Sequence, residues 1–138
     1  MKDKTFIDTN ILIYLYSTSE SDKREKMLNH IRQNSCVISS QVANEFINIV
    51  LNKHKASLLF AQDKIREIES VFTIYSISLK TTKLALDLKE VYNYSYYDSL
   101  IISSALENGC TILLTEDMHN GHIINEQLTI VNPFNGNQ

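Results

Sequence analysis

The sequence predicts an α/β fold built on a mostly parallel sheet, and three observations carry that prediction. Short β-rich runs recur along the chain, stretches with one apolar helical face separate most of them, and Gly109 stands where one such helix must stop before the next run. Strands that alternate with helices in this way need crossover connections, and those crossovers lay helices over both faces of a parallel sheet.

Taken in order, TFID (5–8) is a first strand that is apolar up to Asp8. SDKREKMLNHIRQ (21–33) sets Met27, Leu28 and Ile31 on one helical face, and Lys23, Arg24 and Lys26 then read as its solvated side. CVIS (36–39) is the second strand. SQVANEFINIVLN (40–52) groups Val42, Phe46, Ile49 and Val50 at helical spacing. Residues 57–71 and 81–92 read as helices on either side of a strand FTIYSI (72–77). YYDSLIISSALENG (96–109) is a further helix ending at Gly109, a residue suited to a left-handed cap. CTILLT (110–115) and LTIVN (128–132) are the fourth and fifth strands.

At 138 residues and 43% hydrophobic content, the expectation is one domain over 1–138 that buries a core without disulfide or zinc support. Three glycines and the single Pro133 leave no room for a Gly/Pro-rich linker. A formal net charge of −3 argues against nucleic-acid binding through a broadly basic surface, while local basic patches remain open. Cys36 and Cys110 each open an apolar run and lie far apart, which suits buried reduced thiols and a cytoplasmic compartment. No run approaches the roughly 18 apolar residues of a membrane span, and no signal peptide is expected.

In open parallel sheets ligands sit outside the carboxyl ends of the strands. Asp8 ends the first strand and Asp117 lies just past the fourth. Glu45 falls in the opening turns of the helix after CVIS, and Asp98 opens the helix at 96, so both face the same rim. Singly, each acid is explained as a cap or a dipole partner worth roughly 0.3–1 kcal/mol. Together at matching edge positions they point to a site. Carboxylates crowded this closely repel, which implies a bound cation or raised pKa values. Oxygen donors with few histidines nearby favour Mg²⁺ or Mn²⁺ over Zn²⁺. His119 and His122 in HNGH have no paired cysteines at zinc-finger spacing and read as a surface turn.

FIDTNILIY, SSQVANEF, YYDSLIISSALENGC and LLTEDM, in that order and spacing, resemble the four signature blocks of PIN-domain nucleases, above all of VapC-type toxins. The similarity spans nearly the whole chain, including the tail GHIINEQLTIVNPF. The resemblance implies a PIN-like three-layer α/β/α sandwich with a central, mostly parallel four- or five-stranded sheet. It implies that Asp8, Glu45, Asp98 and Asp117 form the acidic metal-binding and catalytic set, that Thr9 and Asn10 shape the first loop, and that Thr115 hydrogen-bonds within the site. Glu116 competes with Asp117 for the fourth position, and the family pattern of Thr, any residue, then Asp favours Asp117. Ser99 stands where the family often has Ala.

The implied chemistry is Mg²⁺-dependent endoribonuclease cleavage by metal-activated water, with Mn²⁺ able to substitute, leaving 5′-phosphate and 3′-hydroxyl ends. The implied partners are RNA, an antitoxin whose C-terminal segment lies in the acidic groove and offers an arginine to it, and a second copy of the chain. For local RNA grip the candidates are Lys53 and Lys55, about two helical turns or roughly 12 Å beyond Glu45, with a helix C-terminal role as their alternative. Tyr94, Tyr96 and Tyr97 are candidates for base stacking, with core packing as theirs. Two other activities place acids at strand tips. A haloacid-dehalogenase-type phosphatase needs a second Asp where Asn10 stands, and a receiver domain needs adjacent early acids and a late Lys that LTIVNPF lacks. A housekeeping RNA-processing nuclease and a non-catalytic binding module on the same fold are the remaining alternatives.

Overall fold

A computed structural model describes residues 3–16 and 21–134. Six strands form one sheet in the order β3-β2-β1-β4-β6-β5. They are β1 (Lys4–Ile7), β2 (Ser35–Ser39), β3 (Thr73–Tyr75), β4 (Ile112–Leu114), β5 (Ile123–Ile124) and β6 (Leu128–Val131). The five strands read from the sequence pair in parallel, and β5 adds an antiparallel edge strand of two residues that has too little pattern to be read. Phe6, Ile7, Val37, Ile38, Leu113 and Leu114 are all almost fully buried, as strands covered on both faces require.

The helices are α1 (Thr9–Leu15), α2 (Ser21–Gln33), α3 (Ser40–Asn48), α4 (Leu58–Val71), α5 (Leu79–Tyr92) and α6 (Tyr96–Glu107). Helices α1, α2 and α3 pack as one group and α5 with α6 as another, which gives the three-layer α/β/α sandwich. Side-chain caps at Ser39, Ser57, Ser78 and Ser95 start α3, α4, α5 and α6. Gly109, two residues past α6, takes φ +73°, the left-handed turn that a side chain resists.

Two local features depart from the sequence reading. The run after Asp8 is the helix α1, only seven residues long, in which Thr9, Ile11, Leu12 and Leu15 are all buried. A helix this short and this apolar shows no readable polar face. The helix expected over 40–52 changes to a π-helical turn at Ile49–Lys53, a distortion frequent at functional sites.

Chain order sets where a ligand can enter. From β1 the chain steps outward to β2 and β3, then returns to place β4 on the other flank of β1. The strand order therefore reverses at β1 and β4, and the crevice lies beyond their carboxyl ends. The Asp8 backbone N–H donates to Leu114 O at 3.1 Å, which binds the ends of those two strands together.

Candidate active site

A cleft of about 280 Å³ opens at this reversal point, and Asp8, Glu45, Asp98 and Asp117 all line it. Asp8 caps α1 as well. Its Oδ1 accepts from Thr9 N at 2.7 Å and its Oδ2 accepts from the Thr115 hydroxyl at 2.7 Å. The side chain is nonetheless buried, and burial pushes its pKa up to about 6, against the lowering effect of those two bonds. The charges of Asp117 and Asp98 push it up further, so these acids sense one another.

Each remaining acid is anchored by a neighbour. The Thr9 hydroxyl donates to Glu45 Oε1 at 2.7 Å, and the Asn10 amide donates to Asp117 Oδ2 at 3.0 Å. Thr115 also accepts from the Asp117 backbone N–H at 3.1 Å, so one hydroxyl spans Asp8 and the Asp117 loop. Asp98 sits in the first turn of α6, where the Ser95 hydroxyl accepts from its backbone N–H at 3.1 Å. It is half-buried, and its pKa is raised first by that burial, against a separate Ser95 side-chain hydrogen bond to the carboxyl, and then by the charges of Asp117 and Glu45.

Among the described residues, no three His, Cys, Asp or Glu side chains are gathered into a ready metal cluster. Separate hydrogen bonds anchor three of the four carboxylates, Asp8, Glu45 and Asp117. Among the described residues the lining contains no Lys, Arg, His or Cys, and the acids offer only oxygen donors. A hard divalent cation fits that chemistry and relieves the mutual repulsion.

The structure sorts the other sequence candidates by position. Glu116 is turned from the cleft: the Tyr14 hydroxyl donates to its Oε1 at 2.6 Å and Lys23 Nζ lies 3.3 Å from its Oε2. Lys23, read as part of a solvated face, thus ties α2 to the Asp117 loop. Lys53 and Lys55 are exposed and line no part of the cleft, whereas Tyr97 lines it beside Asp98. Tyr94 meets His122 Nδ1 at 2.8 Å, and Tyr92 donates to Asn125 at 2.9 Å. Among the described residues Cys36 and Cys110 are free and buried.

Gln41 and Asn48 also line the cleft and were not singled out by sequence. They lie four residues before and three after Glu45, so the helical repeat around that acid was the available signal.

The sequence matches the family model for the PIN domain over residues 5–119. No curated protein matches it closely enough to place it further. Among solved structures, the fold resembles a chain of a toxin–antitoxin complex from Klebsiella pneumoniae. The TM-score is 0.69 at 22% identity over 94% of this chain and 97% of that one. It resembles VapBC2 from Rickettsia felis bound to a DNA fragment from their promoter, with TM-score 0.65 and 22% identity over 92% and 96% of the two chains. It also resembles Mycobacterium tuberculosis VapC20, a toxin that cleaves the sarcin–ricin loop. There the TM-score is 0.64 at 14% identity over 79% and 86%.

Proposed function

We infer the function of this chain from the fact that it belongs to the PIN domain family, and propose that it is a Mg²⁺-dependent endoribonuclease, the toxin of a toxin–antitoxin pair. The observation that carries the nuclease reading is that Asp8, Glu45, Asp98 and Asp117, drawn from four separate segments, line one cleft where the strand order reverses. The toxin reading is supported by the likeness in fold to chains of toxin–antitoxin complexes. No helix of the described residues is long and apolar enough to cross a membrane; the cytoplasm is the compartment proposed for its action.

Asp8, Glu45, Asp98 and Asp117 would hold Mg²⁺, with Mn²⁺ as a substitute, and the ion would supply an activated water and neutralise charge at the phosphate. The chain's own residues prepare that site. Thr115 and the Thr9 N–H favour the ionised form of Asp8 that a cation needs, against the burial that opposes it. Thr9 orients Glu45 and Asn10 orients Asp117, so the first turn of α1 sets two acids besides its capping Asp8. Partner control follows from the same chemistry: the C-terminal segment of an antitoxin carrying an arginine would neutralise the acids and exclude both metal and RNA. A second copy of the chain completes the proposed assembly.

The test is cleavage of end-labelled RNA by the wild type and by Asp8→Asn, each with Mg²⁺ and with excess EDTA. Cutting confined to wild type with Mg²⁺, leaving 5′-phosphates, is the expected result. Equal cutting by the variant, or cutting that survives EDTA, overturns the proposal.

A further inference from the structure

The lining of the acidic cleft poses a problem of substrate grip. Among the described residues no Lys, Arg or His side chain lines it, so a phosphate backbone entering it meets carboxylates, amides, a hydroxyl and apolar groups of these residues besides the ring of Tyr97. Purchase on nucleic acid within the cleft therefore has to come from the bases as well as from metal.

Tyr97 and Gln41 are the groups placed for that. Tyr97 is 62% exposed although it lines the cleft, and its ring meets that of Tyr96 edge-on, with centroids 5.3 Å apart and planes at 67°. Gln41 is tied to the same residue, because its Nε2 donates to the Tyr97 carbonyl at 3.3 Å. That bond fixes the sense of the amide, since the reverse orientation would set oxygen against oxygen. Gln41 Oε1 is left shielded from solvent with no partner, a rare condition for a buried polar atom. Gln41 itself lines the cleft, so this unsatisfied acceptor belongs to a residue of the cleft wall.

We propose that Tyr97 and Gln41 form a nucleobase subsite beside Asp98, in which a base stacks on the Tyr97 ring and donates from its edge to Gln41 Oε1. The subsite rests on the ribonuclease reading and makes it sequence-selective. Adenine and cytosine carry an exocyclic amino donor, whereas uracil presents carbonyl oxygens on either side of its single N–H. The subsite therefore favours adenine and cytosine over uracil. Gln41 lies one turn before Glu45 and Tyr97 directly before Asp98, so the base it holds adjoins the carboxylates that act on the phosphate.

The experiment measures fluorescence anisotropy of labelled oligo-A, oligo-C and oligo-U RNA with Asp8→Asn protein, which binds without cutting. In that background oligo-A and oligo-C bind about tenfold more tightly than oligo-U. Tyr97→Ala weakens all three by about tenfold while Tyr97→Phe does not, the mark of stacking. Gln41→Met keeps the side-chain length and the thermal midpoint but removes the preference for amino-bearing bases. Unchanged binding by Tyr97→Ala overturns the subsite and leaves its exposed ring to a protein contact, and a preference that survives Gln41→Met overturns it equally. If wild type cuts RNA with Mg²⁺ at sites the Tyr97 and Gln41 variants do not alter, the subsite alone falls. If wild type neither binds nor cuts any RNA, the ribonuclease reading falls and takes the subsite with it.

Discussion

The two ends of the same parallel strands treat ionisable groups in opposite ways. At the carboxyl ends, Asp8 is buried but met at both oxygens by 2.7 Å hydrogen bonds, and three further acids share its cleft. At the amino ends, Cys36 and Cys110 are also buried, and burial pushes each thiol up to about 11. His30, half-buried against Thr5, is pushed down by burial against the opposing charge of Asp3. All three are therefore neutral near pH 7. The difference teaches that burial alone silences a titratable group, while burial with aligned donors keeps it poised between two charge states. Of the groups compared, the one poised near neutral pH stands at the carboxyl end for that reason.

The largest expected effect breaks the contrast at its centre. Asp8→Asn removes the charge that the donors are set to hold, and RNA cutting with Mg²⁺ should fall by more than about a hundredfold, beyond the usual loss of a supporting partner. Single-turnover cleavage rates decide this, and a loss under tenfold would place the chemistry elsewhere. Thr115→Val leaves the acids but deletes the hydroxyl that spans Asp8 and the Asp117 backbone. The expected cost is about 10- to 100-fold in activity or metal affinity, read by Mg²⁺ titration of the rate.

The same contrast has a stability consequence with a definite sign. Asp8 has a folded pKa of about 6 against an ordinary 3.8, so between those values the folded state holds the proton that the unfolded chain has released. Stability of the metal-free protein must then fall as pH rises from about 4 to 6, by up to about 3 kcal/mol. Asp8→Asn should recover part of this at pH 7.5 and raise the metal-free melting temperature, even as it abolishes cutting. Added Mg²⁺ should stabilise wild type and leave the variant unmoved. A variant that melts below wild type at pH 7.5 and above it at pH 4 would reverse the sign and refute the account.

Smaller effects sharpen the comparison from the amino end. Cys110→Ser puts a hydroxyl at a fully buried position and should cost about 1–3 kcal/mol in urea unfolding. Cleavage per folded molecule should stay at the wild-type level. Both thiols should resist alkylation in native protein at pH 7.5 and react after unfolding, because a thiol held near 11 carries almost no thiolate. The smallest change is expected for Glu116→Gln, which weakens the partly exposed bridge to Lys23 by less than about 1 kcal/mol. A loss of cutting as large as that of Asp8→Asn would give Glu116 a place in the site.

Much of this arrangement was legible in the chain itself. The apolar strands, the periodic helices and the acids at their junctions are local patterns, because a period of 2 or 3.6 is written in adjacent residues. Asp8 and Asp117 could be set on one rim from strand ends alone. What lay outside reach was either too short to show a period, as with α1 and β5, or depended on residues far apart. Glu116 meeting Tyr14 across the sandwich, and Gln41 meeting the Tyr97 backbone, are contacts that no nearby residue signals.

The sequence by itself determined the α/β class, the order of the five parallel strands and the five longer helices, and the edge positions of the four acids, since local periodicity and edge position need no partner to be read. Only the tertiary structure decided that Thr9 serves Glu45, that the Asn10 amide donates to Asp117, that Lys53 and Lys55 stand off the cleft, and that Gln41 and Asn48 join it. Those outcomes follow from where parallel crossovers return the chain. A hydrogen bond between residues 36 or 107 positions apart is fixed by that return and leaves no mark on the residues beside it.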